Sequence, residues 1–504
     1  MRLNVRPSFV LAAVAALVLI GCRGGAGPLP DGRAAPAADG SRAAPAIVIR
    51  PSAVGAAVSG LVLGANMATW YDVTQPGLAQ SFKTAGLNAT RWPGGSESDN
   101  FHWQSNSLGQ GACGGGYVNP NSTFDAFVKD VERVAKLDLA VTVNYGSNPA
   151  CTAGAEPSEA AGWVKYANQT KRDNVAWWSV GNEQYGFWET DMHSKPHDAG
   201  QYAANVAASF YPQMKAASKT PIKVCVDVDP DTAGWDAIVL SQAKYDCVEL
   251  HYYPQGTTVD DAFLIDKAAP GLTAYVHRLE SELKTAGHAT TPIYLGEIGS
   301  TYGTPGKQTM SITQALYAAQ AIGELLNDGV ARATWWIGYG GCNSKDGGGD
   351  FSPSLYGWQD FGGYMIFSDG TLQDGCSTTD VPRATLLPTA RALQVAAHFV
   401  RNGEHMLGLT KTSLPHVRAY ASTYDGGYAL LLVNLSKTAA VDVPVTIVGK
   451  ASGSGGEIVT YDRALYDASK RNVWRGPVSK KLAAWNQSFP VHLPPWSIVA
   501  VQTK

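Results

Sequence analysis

The stretch FDAFVKDVERVAKLDLAVTVNY, residues 124–145, holds the repeating unit of this chain. Its first part places Phe124, Phe127, Val131 and Val134 at three- and four-residue spacing, the period of one helix face. Its second part, Ala140–Tyr145, is a short apolar run of the kind that forms a strand buried on both sides. The same alternation runs from residue 60 to about 340. Further strands are expected at Leu61–Ala65, Ala89–Trp92, Val175–Val180 and Ile222–Val228, then at Cys247–Tyr253, Ile293–Gly296 and Ala333–Ile337. Helices are expected over Phe124–Ala135, Ala203–Ala217 and Ile312–Leu326, which carry the same period and many good helix formers. Eight strand–helix units point to a (β/α)8 TIM barrel. A doubly wound open sheet is the rival, but no Gly-rich phosphate turn follows the first strand.

Outside that span the texture changes. Arg418–Tyr424 and Tyr428–Leu435 flank Asp425-Gly426-Gly427, a hairpin signal, and Val441–Val448, Glu457–Tyr461 and Ser497–Val501 continue the strand pattern. The fold class is therefore α/β, a TIM barrel over 60–385 followed by a C-terminal β-sandwich over 386–504. The piece 46–59, with the strand-like Ala46–Arg50, is expected to join the sandwich. Residues 23–45, rich in Ala, Gly and Pro, read as a flexible linker. Arg2, Arg6 and the apolar run Phe9–Ile20 read as a signal peptide, because a membrane span needs about 20 apolar residues. That run ends in Leu19-Ile20-Gly21-Cys22, which resembles a lipobox whose cysteine takes a lipid. An ordinary signal peptide with a chance Cys22 is the alternative. Either way the chain is expected to be exported, and with Cys22 lipidated it is a membrane-anchored lipoprotein of the cell envelope or surface.

Cys113, Cys151, Cys225, Cys247, Cys342 and Cys376 remain, an even number that favours disulfides in an exported protein. Pairing of sequence neighbours is expected: 113 with 151, 225 with 247, 342 with 376. No short Cys-x-x-Cys arrangement suggests zinc, and no metal or cofactor is expected. A formal net charge of -3 gives no electrostatic reason to expect nucleic acid. The 14 Trp and 22 Tyr, many beside Gly, Asn or Asp, suit stacking on sugar rings as well as core packing.

In such a barrel function collects at the carboxyl ends of the strands. There stand Arg91-Trp92-Pro93-Gly94-Gly95-Ser96, Asn144-Tyr145-Gly146, Ser179-Val180-Gly181-Asn182-Glu183, His251-Tyr252-Tyr253-Pro254, Gly296-Glu297 and Trp335-Trp336. By strand alternation His251 and Tyr253 share one face. Glu183 and Glu297 end the fourth and seventh strands, and a pair of carboxyls across one mouth suits cleavage of a glycosidic bond. The charge of one is expected to raise the pKa of the other. Arg91 could keep its nearest carboxylate ionised, or pair with a structural carboxylate such as Asp99. Gly338–Gly349 reads as a long loop over the mouth.

The chain resembles the clan-A retaining glycoside hydrolases. Trp178-Ser179-Val180-Gly181-Asn182-Glu183 with Gly186 and Trp188, Arg91–Ser96 with His102-Trp103, Leu250-His251-Tyr252-Tyr253, and Leu493-Pro494-Pro495-Trp496-Ser497 are similar to segments of the α-L-arabinofuranosidases. The resemblance implies Glu183 as acid/base and Glu297 as nucleophile. It implies that Asn182 holds the hydroxyl beside the anomeric carbon and that Arg91 and Tyr253 hydrogen-bond the nucleophile. His251, Asn144, Trp336 and Trp92 are further candidates for substrate binding, and Trp178 for a sugar platform. One departure stands out. The arabinofuranosidases usually place Asp-Glu-Trp at the nucleophile, whereas this chain has Leu295-Gly296-Glu297-Ile298, closer to the β-glucuronidase and heparanase group. The expected substrate is a carbohydrate, an α-L-arabinofuranoside first and a β-glucuronide or β-xyloside second. A carbohydrate-binding protein without catalysis and a metal-dependent hydrolase are the remaining readings; the latter wants a ligand cluster that the strand ends do not display.

Overall fold

The apolar runs of the repeating units become eight parallel strands that close into a barrel in chain order: Gly64–Asn66, Ala89–Arg91, Asp138–Val143, Trp177–Val180, Lys223–Val228, Cys247–Tyr252, Ile293–Ile298 and Arg332–Trp335. The eighth strand meets the first through Trp335 and Ala65, so the sheet has no edge. The computed structural model describes residues 44–303, 308–342, 362–372, 381–469 and 475–504. The expected signal segment with Cys22 lies outside them, as does Cys376.

Strand positions differ from expectation by a few residues, with local causes. Leu61 and Val62 belong to a 3-10 turn, Gly60–Val62, because the Ser59 hydroxyl accepts the Leu61 N–H at 3.2 Å and starts a turn instead of a strand. Gly64–Asn66 takes the first strand position. Residues 339–342, expected in a loop, form a short strand beside Phe367–Leu372. Phe124–Ala135 is helical throughout, with a wider turn at Val128–Glu132.

Helix Ile312–Asn327 is buried on nearly every side, as its apolar composition requires. Its Glu324 accepts from Tyr420 of the sandwich at 2.8 Å and from Thr273 of helix Ala268–Thr285 at 3.2 Å, so it is clamped between the two layers. In the sandwich, Val417–Tyr424 and Gly427–Asn434 form the expected hairpin, with Asp425 and Gly426 at φ 46° and 79°, the left-handed pair that such a turn demands. Strand alternation then splits Gly427–Asn434 between two cores. Leu430 and Leu432 join Ile47, Ile49, Val445 and Val499 inside the sandwich, while Leu431 and Val433 pack toward the barrel. Strand Ala46–Ala57 pairs antiparallel with His405–Thr412 and parallel with Val441–Ile447, placing the N-terminal segment in the sandwich sheet.

Among the described residues two disulfides tie the barrel. Cys225–Cys247 joins register partners on the fifth and sixth strands, and Cys113–Cys151 joins the loops after the second and third. The third expected pair has one member, Cys376, outside the described residues.

Candidate active site

The carboxyl ends of the barrel strands surround a cavity of about 720 Å³. Glu183 and Glu297 both line it, from opposite sides of the barrel. One carboxylate oxygen of each, together with a ring nitrogen of His251, lie within 4.8 Å of one another.

Glu297 reaches this position through a bulge. Leu295 pairs with Leu250, yet Glu297 pairs with His251, so Gly296 is the extra residue. Its oxygens are fixed by two donors: Arg91 Nη1 at 2.9 Å to Oε1 and the Tyr253 hydroxyl at 2.6 Å to Oε2. Arg91 is fully buried, and its Nη2 donates to Asn182 Oδ1 at 2.7 Å. The carboxylates of Glu249 and Glu297 hold the guanidinium cationic against the opposing effect of burial. Burial, then the charge of Glu297, pushes the Tyr253 phenol well above its usual range and keeps it a donor. Asp99, the other partner considered for Arg91, accepts instead from the Asn182 backbone N–H at 3.1 Å.

Glu183 follows the fourth strand on a tight turn, Gly181 at φ 85° and Glu183 itself at φ 48°. A non-glycine residue in the left-handed region costs on the order of 1 kcal/mol and is concentrated at functional sites. Its Oε1 lies 2.8 Å from His251 Nδ1, and its Oε2 accepts from Trp188 Nε1 at 2.8 Å. The expectation that a neighbouring carboxylate raises its pKa is not met. Burial does push it up, but the hydrogen bond and charge of His251, with Trp188 and Tyr185, hold it below the usual carboxylate range. His251 is the counterpart. Burial would lower its pKa, yet Glu297, Glu183 and Glu249 together hold it well above the ordinary histidine value. Glu183 and His251 thus form an ion pair that shares one mobile proton.

Asn182, His251, Tyr253 and Trp336 line the cavity as expected. Trp336 fits because Gly95 carries no side chain: a Cβ there would sit 2.5 Å from the Trp336 ring. Trp92 and Asn144 lie elsewhere. Trp92 is fully buried among Phe127, Phe101 and Trp163, with its ring stacked on Phe127 at 5.3 Å, so barrel packing takes it. Asn144 closes a turn by pairing both ways with the Ser147 backbone, at 2.8 and 3.1 Å. Trp178 is fully buried against Trp163. His102 and Trp103 face away from the mouth, toward Glu159 and Trp163.

Other lining residues escaped the sequence reading. Trp70, Tyr185, Tyr302 and Tyr364, with Trp188 of the expected acid/base segment, give the cavity aromatic walls, and Glu97, Glu189, Asp229 and Asp231 add carboxyls. Glu189 accepts from Asn182 Nδ2 and Ser96 Oγ, both at 2.9 Å, and burial followed by the charges of Glu183 and Glu297 pushes it up to about 8. It follows Glu183 by six positions in the same loop, the one sequence signal it offered. Glu249 was legible by alternation, since it precedes His251 by two residues and shares its face. It also explains the departure at the nucleophile segment. A Cβ on residue 296 would lie 1.9 Å from Glu249 Oε1, so only glycine fits there.

The site brings together a fixed carboxylate, a second carboxylate paired with an imidazolium, and aromatic walls. The spacing of Glu183, His251 and Glu297 would also suit a metal ion. Arg91 at 2.9 Å from Glu297 and the cationic His251 already supply the positive charge and oppose that use.

No protein-family model matches the chain, and no curated protein matches it. Solved structures do. An α-L-arabinofuranosidase from Thermotoga maritima superposes with TM-score 0.69 at 17% identity, covering 91% of this chain and 99% of its own. A thermostable GH51 α-L-arabinofuranosidase from Thermotoga petrophila RKU-1 gives 0.70 at 17%, covering 92% and 100%. A family 44 xyloglucanase from Paenibacillus polymyxa gives 0.62 at 13%, covering 91% and 99%. At these identities the likeness is one of fold, a (β/α)8 barrel joined to a β-sandwich.

Proposed function

We propose that the chain is a retaining glycoside hydrolase that releases terminal neutral sugars, α-L-arabinofuranosyl groups first. The carrying observation is that one carboxylate oxygen of Glu183 and one of Glu297 lie within 4.8 Å of each other across one cavity, close enough for the retaining spacing. Retaining enzymes hold their carboxyls about 5–5.5 Å apart, whereas inverting ones need about 6.5–9.5 Å to admit a water between them. Glu297 attacks the anomeric carbon as the bond to the leaving oxygen breaks, forming a glycosyl ester. The leaving oxygen takes a proton from Glu183, which draws it from His251 Nδ1 across their 2.8 Å contact. In the second step Glu183 removes a proton from water, whose oxygen displaces Glu297 and frees the sugar. The likeness in fold to α-L-arabinofuranosidases supports the first choice of sugar. Against a β-glucuronide stand three further carboxyl side chains on the cavity wall, Glu97, Asp229 and Asp231; Glu189, held protonated, adds no charge. A neutral β-xyloside meets no such repulsion. A binding protein without catalysis would have no use for a nucleophile held by two donors.

Proton NMR of the first-formed product from nitrophenyl α-L-arabinofuranoside tests the mechanism: the retained anomer supports it, and the inverted anomer overturns it. A panel of nitrophenyl glycosides with no turnover would overturn the enzyme reading itself.

The export reading is part of the same proposal, with a signal segment over 1–22, Cys22 as the lipidated residue, a linker over 23–45 and attachment to a membrane. Two disulfides support an oxidising compartment. Among the described residues no helix is long and apolar enough to cross a membrane. Cys22→Ala is expected to lose incorporated labelled palmitate and leave the membrane fraction; retained label would refute the anchor.

A further inference from the structure

Beneath Glu183 and Glu297 lies a third carboxylate, Glu249, with its side chain fully buried. Its Oε1 sits 2.8 Å from Arg91 Nε and 3.2 Å from His251 Nε2, and its Oε2 accepts from the Ser179 hydroxyl. The opposite end of each cation reaches a reacting carboxylate: Arg91 Nη1 goes to Glu297, and His251 Nδ1 to Glu183. A single oxygen therefore anchors the two cations that hold the two reacting groups. The space it occupies exists because residue 296, the bulge residue of the neighbouring strand, is glycine.

We propose that Glu249 is a positioning residue for both halves of the reaction, holding Arg91 against the nucleophile and His251 against the acid/base. The inference rests on the roles given above to Glu183 and Glu297. Two cations so close to one another need a counter-charge between them, and a buried charge is stable only when paired and hydrogen-bonded. The groups facing Glu249 are Arg91 from the second strand, Ser179 from the fourth, Asp227 from the fifth, His251 from its own strand and Tyr294 from the seventh. Asp227, its register partner, is pushed up to about 8 by burial and then by Glu249, so beside an ionised Glu249 it favours its protonated form at neutral pH. Glu249 accepts at His251 Nε2 and so, with Glu297 and Glu183, helps keep the ring doubly protonated and presents Nδ1–H, not a lone pair, to Glu183. An ordinary buried ion pair would stabilise the barrel without setting the protonation of the acid/base partner.

Glu249→Gln keeps the shape and removes the charge. The expected kcat on nitrophenyl α-L-arabinofuranoside falls on the order of 10²-fold, as for loss of orientation, with KM almost unmoved. The His251 imidazole, followed by NMR, is expected to titrate about 1–3 units lower, the usual effect of losing an adjacent opposite charge. Unchanged kcat with unchanged His251 titration would overturn the proposal. If that variant does not fold, the decision passes to Glu249→Ser compared with Glu249→Ser combined with Gly296→Asp. The latter returns a carboxylate to the same space from the seventh strand. Recovery of kcat by about tenfold or more, one pKa unit's worth of interaction, supports positioning, and no recovery in a folded double variant refutes it. Should the wild type cleave no glycoside, the functional reading fails; the His251 titration still reports Glu249's hold on it independently.

Discussion

Replacing Glu183 by Ala separates the two chemical steps. A positioned general acid contributes about 10²–10⁴-fold, or about 3–5 kcal/mol of barrier, when the leaving oxygen must be protonated. An arabino-oligosaccharide leaves as an alkoxide equivalent and is expected to suffer this full loss. A dinitrophenyl glycoside leaves without help, so its first step proceeds while the glycosyl-Glu297 ester accumulates for want of a base. A burst of phenol followed by a slow phase is the expected trace. The removed side chain vacates the space beside Trp188 Nε1 and His251 Nδ1, both formerly 2.8 Å from its oxygens, and azide fits that space and charge. Added azide is expected to restore the slow phase and yield a glycosyl azide of retained configuration, identified by NMR. An azide product of inverted configuration would mean that the residue removed was the nucleophile. Wild-type rates on the oligosaccharide would refute the assignment outright.

Glu297→Ala is expected to drop turnover to background, and azide then to give the inverted glycosyl azide. Glu189, held near 8, binds a proton in the folded state that the unfolded chain releases near its usual value, so stability falls as pH rises from about 4.5 to about 8. The isosteric Glu189→Gln should lack that component, seen as a melting-temperature difference from wild type that grows between pH 5 and pH 8; a parallel pair of curves would count against it. Trp92→Ala is expected to cost about 3–5 kcal/mol of folding stability by denaturant titration. Trp336→Ala, by contrast, should weaken substrate binding while the protein stays folded.

Legibility in the sequence followed the range of the forces involved. Helix Ile312–Asn327 and the hairpin around Asp425 and Gly426 were readable because period and turn chemistry are local. Asn182, Glu183, His251, Tyr253 and Glu297, with Arg91 buried against Glu297, were readable because strand ends in a parallel barrel converge on one mouth. Trp92 and Trp336 could not be told apart on that basis. Both follow strands, but one turns outward into the packing of Phe127 and Trp163 and the other rests in space left by Gly95. The pairing of Glu183 with His251 was equally hidden, since the expected repulsion between carboxylates is outweighed by a cation that strand alternation alone does not aim.

The amino-acid order by itself determined the alternation of strands and helices, the switch to a sandwich, and two glutamates at the fourth and seventh strand ends. These rest on hydrophobic period and residue type, which neighbours along the chain carry. The tertiary structure alone decided the approach of Glu183 and Glu297 to within 4.8 Å and the placement of Glu249 in the space beside Gly296. It also decided which carboxyl side chains carry a proton. Those outcomes depend on burial and on charges brought close from distant positions, and the energy of a buried charge is set by everything around it.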